Sequence, residues 1–173
     1  MLTLVVGGAL SGKSACAERL IERSDAAKRV YLATMEPFGG EAAARIEKHR
    51  AMRANKGFIT LERSTDLAGV TVPPDSAVLL EDLGNLCANE LFSPRGAGDG
   101  AADAILRGVA RLRCRNLVIV SNEVFTGGAA YAGDTVRYLS VLSYVNRELA
   151  AMADAVCEVC AGIATYYKGR EPR

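Results

Sequence analysis

Histidine is almost absent from this chain. Among 173 residues only His49 carries an imidazole, which excludes a zinc set built on several histidines. An excess of charge of one sign is also lacking. The 21 lysines and arginines and 20 aspartates and glutamates leave a net charge of +1. No broad basic field exists to draw in nucleic acid, so no nucleic-acid partner is expected. No apolar run approaches the ~20 residues that a membrane span requires. The first apolar run, "LTLVV", has neither a charged leader nor a small-residue cleavage site before it, so a cytoplasmic protein is expected. Cysteines are few, odd in number and scattered: Cys16, Cys87, Cys114, Cys157 and Cys160. Only Cys157 and Cys160 form a C-x-x-C. On a strand, residues three apart point to opposite faces, so the pair is expected to act as two small hydrophobes in a buried strand.

Half of the residues are hydrophobic and 24% are charged, which suits one globular domain over residues 1–173. Short β-rich runs alternate with helical patterns. Strands are expected at 2–6, 29–34, 57–62, 77–82 and 117–121, and in "AVCEVC" and "ATYYK" near the end. Helices are expected over 13–24, 41–53, 86–92, about 102–113 and 135–153, with a mobile surface loop over 93–103. Such alternation implies an α/β fold, a mostly parallel sheet flanked by helices. Ligands collect at the carboxyl ends of the strands in such sheets.

The first strand runs directly into "GGALSGKS". Gly7, Gly8, Ala9, Leu10, Ser11, Gly12, Lys13 and Ser14 fit G-x-x-x-x-G-K-[ST] at every fixed position, with a strand before and a helix after. Glycines let successive backbone N–H groups face one anion, and the helix adds its positive end. Lys13 is expected to reach the β- and γ-phosphates of a nucleoside triphosphate, and Ser14 to offer its hydroxyl to Mg²⁺. The motif calls for a P-loop, RecA-like fold. A magnesium site also needs a carboxylate. "AVLLED" supplies Glu81 where an apolar strand ends, with Asp82 beside it. An alternating strand can aim only one of the two at the loop, and Glu81 is the better placed. A solvated acidic strand end is the plainer alternative.

In "ARIEKHRAMR", Arg45, His49 and Arg53 recur at i, i+4 and i+8, one face of a helix, flanked by Lys48 and Arg50. Guanidinium neighbours disfavour a second positive charge, which keeps an imidazole neutral as a nucleophile must be. The same arginines suit nucleotide phosphates. A solvated histidine on a basic helix reads equally well from composition.

Taken in order, "GGALSGKS", "YLAT", "EAAARIEKHRAMR", "FITLE", "VLLE" with "NELF", "SNEV" and "VNRELAAMADAV" resemble one family. It is the bifunctional adenosylcobinamide kinase/adenosylcobinamide-phosphate guanylyltransferases of cobalamin biosynthesis. The resemblance implies that Gly7 to Ser14 bind triphosphate and that Ala33, Thr34 and Met35 lie at the nucleotide site. It implies that His49 takes up GMP, with Arg50, Ala51, Met52 and Arg53 at the same nucleotide and Glu62 and Glu81 facing it. Asn122 and Glu123 follow a strand end, where sheet logic also expects a site. GTP and ATP are the implied nucleotide substrates, a corrinoid the acceptor, Mg²⁺ the cofactor, and a homo-oligomer, a trimer in that family, the assembly. The chain departs from the family pattern over 124–145. "FTGGAAYAGD" lacks the usual Val-Pro turn, and Leu139, Ser140 and Ser143 stand where the family carries Arg-Asp and glycine. Another P-loop small-molecule kinase or NTPase without the guanylylation step is the alternative enzyme. A nucleotide-binding regulator without turnover is the alternative outside enzymes.

Overall fold

The apolar runs become the strands of one sheet. The computed structural model describes residues 1–36, 56–128 and 130–172. The helix expected over 41–53 lies outside them. Strand β1 (Leu2–Gly7) leads into helix α1 (Lys13–Glu22), then β2 (Lys28–Ala33), β3 (Phe58–Glu62) and β4 (Ser76–Glu81). Helices α2 (Leu83–Phe92) and α3 (Ala101–Arg111), strand β5 (Asn116–Asn122), helix α4 (Asp134–Met152) and strands β6 (Ala155–Cys160) and β7 (Ile163–Lys168) follow. The sheet order is β3-β2-β4-β5-β1-β6-β7. The first six strands in that order are parallel, and β7 returns antiparallel on β6.

The central strands are buried on both faces, which is why they read as continuous apolar runs. In β4, Val78 and Leu80 face a core shared with α2, α3 and α4, and Ala77 and Leu79 face a core with Ala17, Leu20 and Ile21 of α1.

Helix α1 stops at Glu22, short of the expected 24. The Ser24 hydroxyl accepts the Ala26 N–H (3.1 Å), a local bond that competes with the helix. Helix α2 starts at Leu83 rather than at 86, because Asp82 caps it: its Oδ1 accepts the Asn85 N–H at 2.6 Å. The stretch 93–103 is folded rather than a mobile loop. It holds a 3₁₀ turn at Gly98–Gly100, and the buried Glu90 carboxylate accepts the Ala97 N–H (3.0 Å) and the Asp66 N–H (2.7 Å). The pairing of Cys157 with Cys160 as buried hydrophobes also needs correction. Cys157 is buried, but Cys160 ends β6 at a hairpin tip and is exposed.

Candidate active site

Five parallel strands deliver the candidate residues to one edge, and the register sets their order. Ala33 lies beside Glu62 of β3 on one side and Glu81 of β4 on the other. Gly7 lies beside Asn122. Strand β5 separates β1 from β4, so the loop and Glu81 do not share neighbouring strands. Helix α1 bridges the gap by packing over β5 and β4. Its first turn brings Ser14 to Glu81, and the Ser14 hydroxyl donates to Glu81 Oε1.

The loop itself is held by close packing. A Cβ on Gly7 would sit 2.5 Å from Ser11 Oγ and 2.7 Å from the Val159 carbonyl oxygen of β6. Gly12 adopts φ +93°, a conformation open to glycine. The hairpin turn between β6 and β7 braces the loop, with Gly162 N–H donating to the Ser11 carbonyl at 2.8 Å. Lys13 is buried, and its Nζ folds back to donate to the Gly8 carbonyl at 3.2 Å. Ala9 and Leu10 form the exposed crest.

These contacts separate two neighbouring glycines. Gly7→Ala is expected to displace Ser11 or β6 and to cost about 1–3 kcal/mol of stability. At about 2–4 °C per kcal/mol for a chain of this size, the melting midpoint should fall visibly. A Cβ on Gly8 meets nothing within 4 Å, so Gly8→Ala is expected to stay within about 0.5 kcal/mol of the parent. Calorimetric scans of the ligand-free variants check both.

The helices that follow β1 and β4 both start at this edge, and their electrostatics differ. Helix α2 is capped by the Asp82 carboxylate, which offsets its positive end. Helix α1 has no side-chain cap and no acidic residue in its first turn. The α1 end therefore keeps its pull on an anion, and the "GGALSGKS" loop leads into it.

Behind the loop lies a hydrogen-bonded lattice. Asp82 Oδ2 accepts the side-chain N–H of Asn122 (3.1 Å) and of Asn85 (3.2 Å). The Thr34 hydroxyl donates to the Asp82 carbonyl (2.8 Å), and Asn89 Nδ2 donates to the Thr34 carbonyl (2.7 Å) and the Ser64 carbonyl (3.2 Å). The segment Ala33–Met35 is thus pinned from α2. Asn122 takes part in this lattice. The Glu123 N–H donates to the Gly7 carbonyl (2.9 Å), and its carboxylate accepts Phe125 N–H and Thr126 O–H (both 2.8 Å). Burial, followed by the neighbouring Cys87 and Asp82, pushes the Tyr138 hydroxyl beside Gly84 up to about 12.

At the sheet edge, Glu62 lines an open hollow of about 320 Å³ with Arg63, Ser64, Thr65, Asp66 and Arg95. Arg63 pairs with Asp66, and Arg95 with Glu36 at 3.3 Å. Arg45, His49, Arg50, Ala51, Met52 and Arg53 lie outside the described residues.

The model of one protein family, described as cobinamide kinase/cobinamide phosphate guanyltransferase, matches residues 3–166. The chain belongs to this family. As a member of the cobinamide kinase/guanyltransferase family it is an enzyme of cobalamin biosynthesis. Two named relatives agree over all or nearly all of their length. The bifunctional adenosylcobalamin biosynthesis protein CobU of Escherichia coli (strain K12) is 34% identical, across 97% of this chain and 100% of that protein. The bifunctional adenosylcobalamin biosynthesis protein CobP of Pseudomonas aeruginosa (strain PAO1) is 33% identical, across 98% of each. Among solved structures, an ATPase from the type III secretion system of pathogenic bacteria superposes with a TM-score of 0.54 at 8% identity. It covers 95% of this chain and 56% of that one, a likeness of fold alone.

Three residues at this family member's site were not singled out from sequence. Asp82 stood only as Glu81's neighbour, though an aspartate before a helical run is itself a cap signature. Asn89 stood only inside "NELF", with no role read for it. Tyr31 stood only as a strand residue and the first letter of "YLAT", yet its hydroxyl donates to Glu81 Oε2 at 2.9 Å.

Proposed function

We propose that this chain phosphorylates adenosylcobinamide and then transfers GMP from GTP to adenosylcobinamide phosphate through a histidine–GMP intermediate on His49. The observation that carries the reading is the meeting of the anion-binding loop with the Ser14–Glu81 pair at one sheet edge, in a chain of this family. In the first step the acceptor's hydroxyl oxygen attacks the γ-phosphorus of ATP or GTP. The bond to the β-phosphate oxygen breaks, and the hydroxyl proton leaves. In the second step an imidazole nitrogen of His49 attacks the α-phosphorus of GTP and pyrophosphate departs. The phosphate oxygen of the corrinoid then attacks the same phosphorus, the P–N bond breaks, and adenosylcobinamide-GDP forms. Splitting one displacement into two lowers each barrier.

Gly7 to Ser14 bind the triphosphate through backbone N–H groups and the α1 end. Lys13 offsets charge on the transferred group. Ala33, Thr34, Met35, Glu62, Arg45, Asn122 and Glu123 line or support the nucleotide site, with Arg50, Ala51, Met52 and Arg53 at the GMP. A hydroxyl and a carboxylate oxygen in contact at the loop are the hard donors that Mg²⁺ selects, so Ser14 and Glu81 fit a magnesium site. When bound, Mg²⁺ screens the triphosphate's charge. No helix among the described residues is long and apolar enough to cross a membrane. A single-domain cytoplasmic enzyme acting as a homo-oligomer, a trimer, fits the reading.

Mass spectrometry of the intact chain mixed with GTP and Mg²⁺ tests it. One GMP per chain, released by acid and mapped to the peptide carrying His49, is expected. No adduct together with γ-phosphate turnover would make the chain a plain small-molecule kinase or NTPase.

A further inference from the structure

Glu81 is held from two sides, and its second partner has no assigned role. Tyr31 sits in the middle of β2, 4% exposed. In the β2–β4 register Tyr31 lies opposite Leu79, and Ala33 lies opposite Glu81. Residues two apart on a strand share a face, so Tyr31 and Glu81 form a diagonal cross-strand pair within reach of an aromatic side chain. The ring is fixed by packing: it meets Phe58 of β3 edge-on, with centroids 6.2 Å apart and planes at 89°. From that position its hydroxyl donates to Glu81 Oε2 at 2.9 Å, while the Ser14 hydroxyl engages Oε1. The two carboxylate oxygens are thereby distinguished. One is turned to the strand below, and the other to the loop.

We propose that Tyr31 is a positioning residue that fixes the Glu81 carboxylate with Oε1 presented to the magnesium–triphosphate. The inference rests on the reading of Glu81 as a magnesium ligand. Second partners of this kind orient metal-binding groups, and their loss costs about 10–100-fold in metal affinity or activity. Tyr31→Phe keeps the ring and its contact with Phe58 and removes the donor alone.

The test measures GTP binding to the full chain by calorimetry, with Mg²⁺ and with EDTA, for the parent, Tyr31→Phe, Glu81→Gln and the double variant. With Mg²⁺, Tyr31→Phe is expected to raise Kd about 10–100-fold. In EDTA its Kd should stay within about twofold of the parent's, since no metal then needs presenting. The double variant should be no weaker than Glu81→Gln. An equal loss with and without Mg²⁺ in Tyr31→Phe would make the tyrosine a packing residue and overturn the inference. If Glu81→Gln shifts the Mg²⁺-dependent Kd and Tyr31→Phe does not, the inference alone falls. If Glu81→Gln binds as the parent does in both conditions, the magnesium reading of Glu81 falls and takes the inference with it.

Discussion

His49→Ala is expected to abolish the GMP adduct and guanylyl transfer while γ-phosphoryl transfer continues at close to the parent rate. The two steps use different nucleophiles. In the kinase step the corrinoid hydroxyl attacks, and no side chain becomes covalently attached. In the guanylyl step the only imidazole in the chain is proposed to bond to phosphorus, and alanine offers nothing in its place. Removing a covalent nucleophile costs on the order of 10⁴-fold or more, whereas a neighbouring charge costs far less. Parallel assays check this: α-labelled GTP followed into adenosylcobinamide-GDP, and γ-labelled nucleotide followed into adenosylcobinamide phosphate. Equal loss of both activities would place His49 at the shared triphosphate and remove its covalent role. Retention of guanylyl transfer would remove His49 from the chemistry.

The strands and the loop were legible in the sequence because each depends on local pattern. A strand buried on both faces must be an apolar run, and "LTLVV" and "AVLLED" are such runs. An anion cradle built from the backbone needs glycines at fixed spacing, so "GGALSGKS" marks it. Strand alternation was the ground for choosing Glu81 over Asp82, but β4 ends at Glu81 and Asp82 lies beyond it as a helix cap. The structure turns Glu81 to Ser14 and Asp82 to the start of α2. What stayed hidden depends on pairing between distant segments. Nothing local shows that β5 lies between β1 and β4, and so nothing shows that a helix must carry Ser14 across to Glu81. The Tyr31–Glu81 contact needs the β2–β4 register before it can be seen. Asn89 acts through two carbonyls, on Thr34 and Ser64, that are far from it in sequence.

The site follows from where positive charge is left without a partner. Asp82 consumes the positive end of α2, and its carboxylate is further tied by Asn85 and Asn122. An anion approaching the strand ends therefore meets the open terminus of α1, with Lys13 beside it. The same sheet edge puts Glu81 against Ser14 at the start of α1, where a carboxylate would repel an anion unless a cation intervened. On the proposed reading, Ser14 and Glu81 would hold Mg²⁺, whose charge would reconcile a loop that attracts triphosphate with an acid that opposes it.

Lys13→Ala is expected to lower kcat/KM for γ-phosphoryl transfer by about 10²–10³-fold, the range for losing one preorganised charge at a transferring group. It is expected to do so without unfolding the chain. Among the described residues the buried ammonium has one hydrogen-bond partner, the Gly8 carbonyl at 3.2 Å. Burying a cation against a single neutral acceptor costs desolvation that one hydrogen bond offsets only in part. Truncation therefore removes a penalty as well as a contact, and the ligand-free melting midpoint should stay within about 2 °C of the parent's. The difference should appear when nucleotide is added. A ligand at 100 times its Kd stabilises the folded state by about 2.7 kcal/mol, so GTP with Mg²⁺ should raise the parent's midpoint by several degrees and the variant's hardly at all. Lys13→Arg should not restore activity, because a planar guanidinium replaces a compact point charge in a loop closed around it. A variant that melts early without ligand would mean that Lys13 holds the loop together. A variant that melts normally and still gains stability from GTP would move the triphosphate away from this loop.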